Sequence, residues 1–363
     1  MFYLEKFGAD RKDQHLGLAN QQYTNQPAKD FRETLFVHHS LPQTKVEQVD
    51  LSTKVAGLEF SFPFFINAMT GGSQKTGEVN RLLGIMGHFG KIPLASGSVS
   101  AAIKDPTVAK TFSVMRRENP NGIIFANLGA HHNLDNAKRA VDLLEANAIQ
   151  IHVNAPQEIV MPEGDKDFTM WLNNIEVLVT KLDVPVIVKE VGFGMSRETI
   201  RQLASIGVET VDVSGTGGTD FARIENARRT FNDYDYLEGW GQSTVVSLVE
   251  AMSLPEYKRP ALIASGGVKT PLDIVKSLAL GADLVGLSNY FLQYVKDGKG
   301  DRFDEGLQAI TLFQRQISEI MTMLGARTII ELRQKDIVLS PDVRNWCEAR
   351  AIDWKSYANR SRK

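Results

Sequence analysis

The stretch Ile149-Gln-Ile-His-Val-Asn-Ala-Pro-Gln-Glu158 joins a short strand to a dense group of polar side chains. Its first five residues alternate between apolar and polar, which is typical of a β-strand. We expect Pro156 to end the regular structure, because proline has no backbone N–H to donate. Four polar residues lie close together at the end of this strand and just after it: His152, Asn154, Gln157 and Glu158.

The carboxylate of Glu158 is the kind of ligand that a hard cation such as Mg²⁺ takes, together with phosphate oxygens of a substrate. The neighbouring amides and the imidazole of His152 would then serve as hydrogen-bond donors. A polar loop that merely follows a strand has the same composition, so this stretch alone leaves both interpretations open.

The composition is that of a globular protein with a sizeable core, since 43% of its 363 residues are hydrophobic and 23% are charged. A net charge of −2 predicts no general basic surface for nucleic acid. No apolar run reaches the roughly 18 residues of a membrane helix, and the N-terminus is too charged for a signal peptide. The single cysteine, Cys347, excludes an internal disulfide and a cysteine-based metal cluster. We therefore expect a cytoplasmic protein.

From Phe62 onwards, an apolar run of strand length is repeatedly followed by a polar or glycine-rich turn and a helical pattern. The predicted strands are Phe64–Ala68, Ile92–Ala95, Gly122–Ala126, Ile149–Val153, Pro185–Val188, Thr210–Val213, Ala261–Ala264 and Leu284–Leu287. The predicted helices are Glu78–His88, Thr107–Arg117, Leu134–Ala146, Phe168–Lys181, Arg197–Ser205 and Pro271–Leu280. Eight strands that alternate with helices predict an α/β fold, a (β/α)8 TIM barrel. A doubly wound sheet fits less well, because no Gly-x-Gly-x-x-Gly follows the first strand.

We expect a single domain over residues 1–363, in which residues 1–60 form an N-terminal extension without strong periodicity. Residues 214–259, between the sixth and seventh strands, are far longer than a usual connection and predict a lid-like insertion. Residues 303–324 predict a long amphipathic helix, and a charged, peripheral tail follows it.

The active site of such a barrel lies at the carboxyl ends of its strands. Small and hydrogen-bonding residues follow the other strands too: Asn67-Ala-Met-Thr-Gly-Gly72, Ser96-Gly-Ser98, Asn127, Lys189-Glu190, Ser214-Gly-Thr-Gly-Gly-Thr219, Ser265-Gly-Gly-Val-Lys269 and Ser288-Asn289. The two glycine-rich exits favour a phosphate site, because glycine lets the backbone approach an anion and a following helix offers free N–H groups. Ordinary turn glycines are the alternative.

Lys189 ends an apolar run, where a lysine could form a Schiff base, hold an anionic ligand or pair with Glu190. The pair Arg11-Lys12 indicates little alone, because basic residues near a terminus are usually solvated.

Taken in order, these motifs resemble those of type 2 isopentenyl-diphosphate isomerases, the FMN-dependent form. The matching motifs are Arg11-Lys-Asp-Gln-His15, Ala68-Met-Thr-Gly-Gly72, Ser96-Gly-Ser98, His152-Val-Asn154 with Gln157-Glu158, Val188-Lys-Glu190, Gly215-Thr-Gly-Gly-Thr219 and Ser265-Gly-Gly267. Each motif is weak alone, but the ordered set is specific and extends from Arg11 to Ala326.

The resemblance implies a (β/α)8 barrel that binds FMN and Mg²⁺, uses NADPH as reductant and assembles as a homotetramer or homo-octamer. It implies interconversion of isopentenyl and dimethylallyl diphosphate in isoprenoid biosynthesis, with reduced FMN as acid and base. By matching position, Arg11, Lys12 and Gln157 would hold the substrate and Glu158 the metal. His152, Asn154, Gln157 and Lys189 would support the flavin chemistry. The FMN-binding residues would be Ala68, Met69, Thr70, Ser98, Asn127, Lys189, Ser214, Thr219, Gly267, Val268, Lys269, Ser288 and Asn289.

Three other functions are weaker. An FMN-dependent 2-hydroxy-acid oxidoreductase on the same barrel would carry a His-Gly-Gly-Arg run, whereas the nearest run, residues 214–219, has no histidine. A purine-nucleotide dehydrogenase would need a cysteine in this region, and none is there. A protein that merely binds flavin or phosphate has no evident use for the metal carboxylate of Glu158.

Overall fold

The computed structural model describes the backbone of residues 6–362 and the side chains from Arg11 to Arg362. In chain order its strands are β1 (Leu35–Phe36), β2 (Thr53–Val55), β3 (Leu58–Phe60), β4 (Phe64–Ile66), β5 (Leu94–Ala95), β6 (Ile124–Gly129), β7 (Ala148–Val153), β8 (Val186–Glu190), β9 (Thr210–Asp212), β10 (Ala261–Ser265), β11 (Leu284–Leu287) and β12 (Ile337–Val338).

The helices surround the barrel, and the first of them begins at the start of the described chain. They are α1 (Lys6–Gln21), α2 (Lys29–Glu33), α3 (Gln74–Gly90), α4 (Ser100–Lys104), α5 (Lys110–Glu118), α6 (Leu134–Leu144), α7 (Ala155–Val160), α8 (Trp171–Lys181), α9 (Arg197–Ser205), α10 (Phe221–Ala227), α11 (Thr244–Met252), α12 (Pro271–Ala279), α13 (Asn289–Leu292), α14 (Phe303–Met323), α15 (Ile329–Leu332) and α16 (Pro341–Ala349). No helix within residues 6–362 is both long enough and apolar enough to cross a bilayer.

Strands β4 to β11 pair in parallel and close into a barrel, in which Val285 of β11 pairs with Phe64 of β4. All eight predicted strands are present, so the predicted (β/α)8 barrel is confirmed. The carboxyl ends of all eight strands therefore meet at one end of the barrel, which is where the polar strand exits come together.

The interior of the barrel has an apolar layer towards the amino ends of its strands and a polar layer above it. Gln150 and His152 share the inward face of β7, because successive residues of a strand point to opposite faces. The alternation in residues 149–153 therefore places polar side chains inside the barrel and apolar ones against the helices. The apolar layer joins inward strand residues to the β2–β3 hairpin and contains Val55, Phe60, Phe65, Phe125, Ile187, Ile263 and Leu284.

The long connection between the sixth and seventh barrel strands is present, but part of it is an ordinary barrel helix. Helix α11 is almost wholly buried, because its sequence is apolar nearly all round. A backbone bridge between Thr216 and Ser243 ties the two ends of the remaining loop together. Residues 217–242 are therefore the part that leaves the barrel.

Two local expectations are wrong. Pro156 does not end the structure but lies in the first turn of α7, where its missing N–H has no helical partner to lose. The C-terminal tail is not peripheral, because Trp346 Nε1 and Arg350 Nε of α16 each donate to the buried Glu250 Oε1 of α11 at 2.8 Å. Cys347 on the same helix is fully buried, as expected of a structural residue.

Candidate active site

A cavity of about 460 Å³ opens at the carboxyl ends of the barrel strands, within the range of small-molecule sites. Helix α1 forms part of its wall, although no periodicity in the sequence predicts this helix. Every residue that the resemblance assigns to substrate, metal or cofactor lines this one cavity: Arg11, Lys12, Ala68, Met69, Thr70, Ser98, Asn127, His152, Asn154, Gln157, Glu158, Lys189, Ser214, Thr219, Gly267, Val268, Lys269, Ser288 and Asn289.

Helix α1 is fastened to the barrel by polar side chains. Ser73 Oγ donates to Asp13 Oδ1 at 2.7 Å, and His15 Nε2 lies 3.0 Å from Glu225 Oε1. Farther along, Asn289 Nδ2 donates to the carbonyl oxygen of Ala19 at 2.8 Å. These contacts set α1 against the barrel, and so they bring the Arg11-Lys12 pair to the cavity.

Glu225 of α10 is a fully buried carboxylate that joins three parts of the cavity wall. Gln157 Nε2 donates to its Oε1 at 2.9 Å, and Arg228 pairs with its other oxygen. Burial alone would raise the pKa of Glu225, but the hydrogen bonds from His15 and Gln157 and the charge of Arg228 lower it to about 2. Glu225 is therefore ionised and fixes the direction of the Gln157 amide.

Lys12 faces the cavity without a salt bridge or side-chain hydrogen bond among the described residues. Burial and the neighbouring Arg11 lower the pKa of Lys12 to about 8. Arg11 Nη1 lies 3.4 Å from Glu163 Oε1, at the rim. A group with free donors and an incompletely neutralised charge suits an anionic ligand.

The carboxylate of Glu158 is buried and held on both oxygens. Asn154 Nδ2 donates to Oε1 at 3.0 Å, and the backbone N–H of Asp165 donates to Oε2 at 2.9 Å. Within residues 11–362 no group of three His, Cys, Asp or Glu side chains could hold a metal ion. Such a site suits a cation that takes one protein carboxylate and completes its shell with water and phosphate oxygens.

Lys189 projects into the upper barrel, where its Nζ donates to the carbonyl oxygen of Glu190 at 2.8 Å. Its ionic partner is Asp212 Oδ2 at 3.3 Å, not the carboxylate of Glu190. The carboxylate of Glu190 accepts instead from the N–H of Phe193 at 2.6 Å, and burial raises the pKa of Glu190 to about 8. The charge of Lys189 is thus held at the floor of the cavity.

The two glycine-rich exits pack against each other. A Cβ on Gly266 would lie 2.0 Å from the carbonyl oxygen of Gly215, and one on Gly218 would lie 3.0 Å from the backbone nitrogen of Gly267. Glycine at these positions thus lets the two loops approach. The backbone N–H groups of Gly218, Thr219, Gly267 and Val268 donate to no acceptor in the described chain, which leaves them available to a phosphate.

The phosphate site stays a prediction, but fewer N–H groups are free at the start of α12 than predicted. The side chain of Asp273 accepts from the backbone N–H groups of Lys269 and Thr270 at 3.1 and 2.9 Å, so these two groups are already satisfied. The Lys269 ammonium turns to the carbonyl oxygen of Thr24 and lies 5.1 Å from the centre of the Tyr23 ring. An anion here would depend on loop N–H groups more than on the helix end.

Sequence reasoning missed several residues of this site. Asp212 ends strand β9 on its inward face, and the alternation of residues within the predicted strand Thr210–Val213 is the signal that identifies it. His15 closes the Arg11–His15 motif but received no role. Glu225 and His131 carry no local sequence signal, because their contacts to the site join segments far apart in the chain.

The fold and the site define an FMN-dependent barrel enzyme. The family model of FMN-dependent dehydrogenases matches residues 110–339. Among solved structures, a flavocytochrome b2 variant with sulfite bound aligns with a TM-score of 0.62 at 22% identity, over 91% of this chain and 82% of that one. A mandelate oxidase variant with benzaldehyde aligns with a TM-score of 0.61 at 15% identity, over 90% and 91%. At these identities the structures are evidence for the fold alone.

Similar sequences identify the family of this chain among the FMN-dependent barrel enzymes. A protein of Streptomyces sp. (strain CL190) is 49% identical over 97% of this chain and 96% of its own. Proteins of Staphylococcus haemolyticus and Latilactobacillus sakei are 47% and 48% identical, each over 94% of this chain and 97% and 96% of theirs. All three are named isopentenyl-diphosphate delta-isomerase. The chain belongs to the isopentenyl-diphosphate delta-isomerase family, which confirms the resemblance drawn from its motifs.

Proposed function

We propose that this enzyme interconverts isopentenyl diphosphate and dimethylallyl diphosphate, an allylic double-bond shift without net oxidation. The observation that carries the proposal is the convergence of cationic Arg11 and Lys12, the amide of Gln157 and the carboxylate of Glu158 on one cavity. A diphosphate needs charge neutralisation, and its small hydrocarbon part offers little to grip. Binding the diphosphate firmly would therefore position the reacting carbons.

Arg11 and Lys12 would bind the diphosphate from the side of α1. Lys12 is mostly charged at a pH below its pKa of about 8. Gln157 would contribute its amide from α7, where Glu225 already orients it. The substrate would thus lie between α1 and the loop after β7.

Glu158 would hold Mg²⁺, and Asn154 and the backbone of Asp165 would keep its two oxygens in place. The remaining ligands would be diphosphate oxygens and water, in keeping with the preference of Mg²⁺ for one or two protein carboxylates.

The residues around the cavity fit FMN. The open N–H groups of Gly218, Thr219, Gly267 and Val268 suit its phosphate. When bound and reduced with NADPH, FMN supplies the acid and base that an isolated alkene requires. Lys189 would place a positive charge beside an anionic cofactor, and Asp212 keeps that ammonium in position. The remaining FMN contacts would come from Ala68, Met69, Thr70, Ser98, Asn127, Ser214, Lys269, Ser288 and Asn289.

We also propose a single domain in which residues 217–242 act as a lid. The bridge at Thr216 and Ser243 gives this loop a narrow base, and Phe231 and Trp240 within it are exposed.

Exposed apolar side chains on the β1–β12 sheet, among them Leu35, support assembly into a homotetramer or homo-octamer. Light scattering on the purified protein measures that mass directly.

The proposed reaction is tested by incubating isopentenyl diphosphate with the protein, FMN, Mg²⁺ and NADPH under anaerobic conditions, and identifying the product. We expect dimethylallyl diphosphate only with reduced flavin, and far fewer equivalents of NADPH consumed than product formed. A yellow protein that forms no isomer would refute the isomerase. The 2-hydroxy-acid oxidoreductase would then be examined first, by reduction of bound flavin with a panel of 2-hydroxy acids.

A further inference from the structure

Four buried side chains and the partly buried His152 form a continuous hydrogen-bonded chain across the polar layer of the barrel. His152 Nδ1 lies 2.9 Å from Asn127 Oδ1, and Asn127 Nδ2 donates to Gln150 Oε1 at 3.1 Å. Gln150 Nε2 donates to Asn67 Oδ1 at 3.0 Å, and Asn67 Nδ2 donates to Asp212 Oδ2 at 2.8 Å. The chain thus runs from the cavity wall at β7 to the carboxylate of β9.

The carboxylate at the end of this chain accepts hydrogen bonds on both oxygens. Ser265 Oγ and the backbone N–H of Ser214 donate to Asp212 Oδ1 at 2.6 and 3.2 Å. Lys189 Nζ lies 3.3 Å from Oδ2, beside the amide of Asn67. A carboxylate that is surrounded by donors and faces an ammonium group is ionised and can only accept.

Because Asp212 can only accept, it determines which group donates in every hydrogen bond of the chain. Asn67 must turn its NH₂ group towards Asp212, and the backbone N–H of Ala68 holds its Oδ1 from the other side at 2.8 Å. Gln150 must then donate to that oxygen, which leaves its own oxygen facing Asn127. Asn127 must donate in turn, so only its oxygen is left for the histidine.

We infer that the chain from Asp212 through Asn67, Gln150 and Asn127 fixes His152 as the tautomer with its proton on Nδ1, so that Nε2 meets a ligand as an acceptor. Nε2 forms no hydrogen bond within the described residues, and the ring lines the cavity. Burial and the nearby His131 lower the pKa of His152 to about 3, so the ring is neutral.

The inference differs from the expectation that the imidazole acts as a donor beside the diphosphate. A fully ionised diphosphate offers only acceptor oxygens, so His152 would not bind it. The matching ligand group is an N–H or O–H donor, such as an ordered water or a cofactor N–H. Asn67 and Gln150 are therefore positioning residues that act through His152.

The inference rests on the proposed function for the reaction, but its test does not require turnover. In FMN-loaded protein labelled with ¹⁵N in the histidine rings, long-range ¹H–¹⁵N correlations report which nitrogen carries the proton. The loss of one set of signals in His152→Gln assigns the residue. We expect at least a tenfold excess of the Nδ1–H tautomer in the unmodified protein.

Two variants break the chain at different points. Gln150→Met removes the middle link at similar volume, and Asp212→Asn replaces the carboxylate by an amide that can also donate. Each should lower the tautomer ratio at least tenfold. Thr210→Val, on the same inward face as Asp212, is the matched control and should leave the ratio unchanged.

A proton on Nε2 in the unmodified protein would overturn the inference, even if neither variant folds. So would an unchanged ratio in a folded Gln150→Met or Asp212→Asn protein. If instead the tautomer is as expected but no dimethylallyl diphosphate forms, the proposed function fails and the hydrogen-bond chain stands.

Discussion

Replacing Glu225 by alanine should separate the docking of α1 from the chemistry of the cavity. Glu225 is fully buried and is bonded by His15, Gln157 and Arg228. Lowering its pKa from 4.5 to about 2 corresponds to about 3 kcal/mol of stability. Removing one partner of a buried ion pair costs a similar amount, about 3–5 kcal/mol.

For 363 residues the entropy of unfolding is about 0.8 kcal/mol per kelvin. A loss of about 3 kcal/mol therefore lowers Tm by about 4 °C. Loss of the 3.0 Å contact between His15 Nε2 and Glu225 Oε1 should also release α1 and raise KM, and a loss of about 1.4 kcal/mol corresponds to a tenfold increase. The rate at saturating substrate should change much less.

Scanning calorimetry and steady-state kinetics measure the two effects. Glu250→Ala is the matched control, because Glu250 is also buried and bonded by an arginine, but none of its side-chain partners lines the cavity as His15 and Gln157 do. It should lower Tm comparably and leave KM unchanged. If Glu225→Ala loses stability while its KM stays at the unmodified value, α1 is not held to the site by this carboxylate.

The pH dependence of this effect has a defined sign. Because the folded-state pKa of Glu225 lies below its ordinary value, the stability it contributes is present above about pH 4.5 and is lost as the pH falls towards 2. The difference in stability between the alanine variant and the unmodified protein should therefore shrink in acid.

Three further predictions concern the cavity itself. Glu158→Gln should abolish Mg²⁺-dependent turnover while FMN still binds. The control Glu163→Gln, at the exposed rim, should retain most activity. Full activity of Glu158→Gln across a Mg²⁺ titration would show that Glu158 does not hold the metal. Lys189→Ala should lower the flavin midpoint potential by about 30 mV or more, a tenfold change in a two-electron equilibrium, and an unchanged potential in a redox titration would contradict this. KM for the diphosphate should rise as the pH passes about 8, where Lys12 loses its charge. Lys12→Arg should make KM less dependent on pH in this range. An equally steep pH profile in the variant would assign the titration to another group.

The barrel is predictable from sequence because each strand carries its own signal. The run Val184–Val188, for example, is apolar throughout, as a strand covered on both faces requires. The positions of Glu158 and Lys189 at strand exits follow from the barrel rule, since the ends of parallel strands share one face. The convergence of these side chains on one cavity was therefore predictable once the fold class was known, whereas the roles proposed for them come from the family resemblance.

The remaining features depend on contacts between distant segments. Helix α1 has no amphipathic period, because it is held largely by polar contacts such as His15 with Glu225. The direction of the Gln150 amide depends on Asp212, which belongs to another strand. Local patterns carry no information on such pairings.

The pairing of β4 with β11 has a consequence for how the protein is made. The first barrel strand, Phe64–Ile66, finds its second partner only when Leu284–Leu287 has been synthesised. Until then the nascent chain is an open sheet with two apolar edges, which are prone to aggregation. All eight strand exits contribute to the cavity. The cofactor can therefore bind only after most of the chain has been synthesised. Expression at low temperature or with chaperones that cover such edges should raise the yield of folded enzyme.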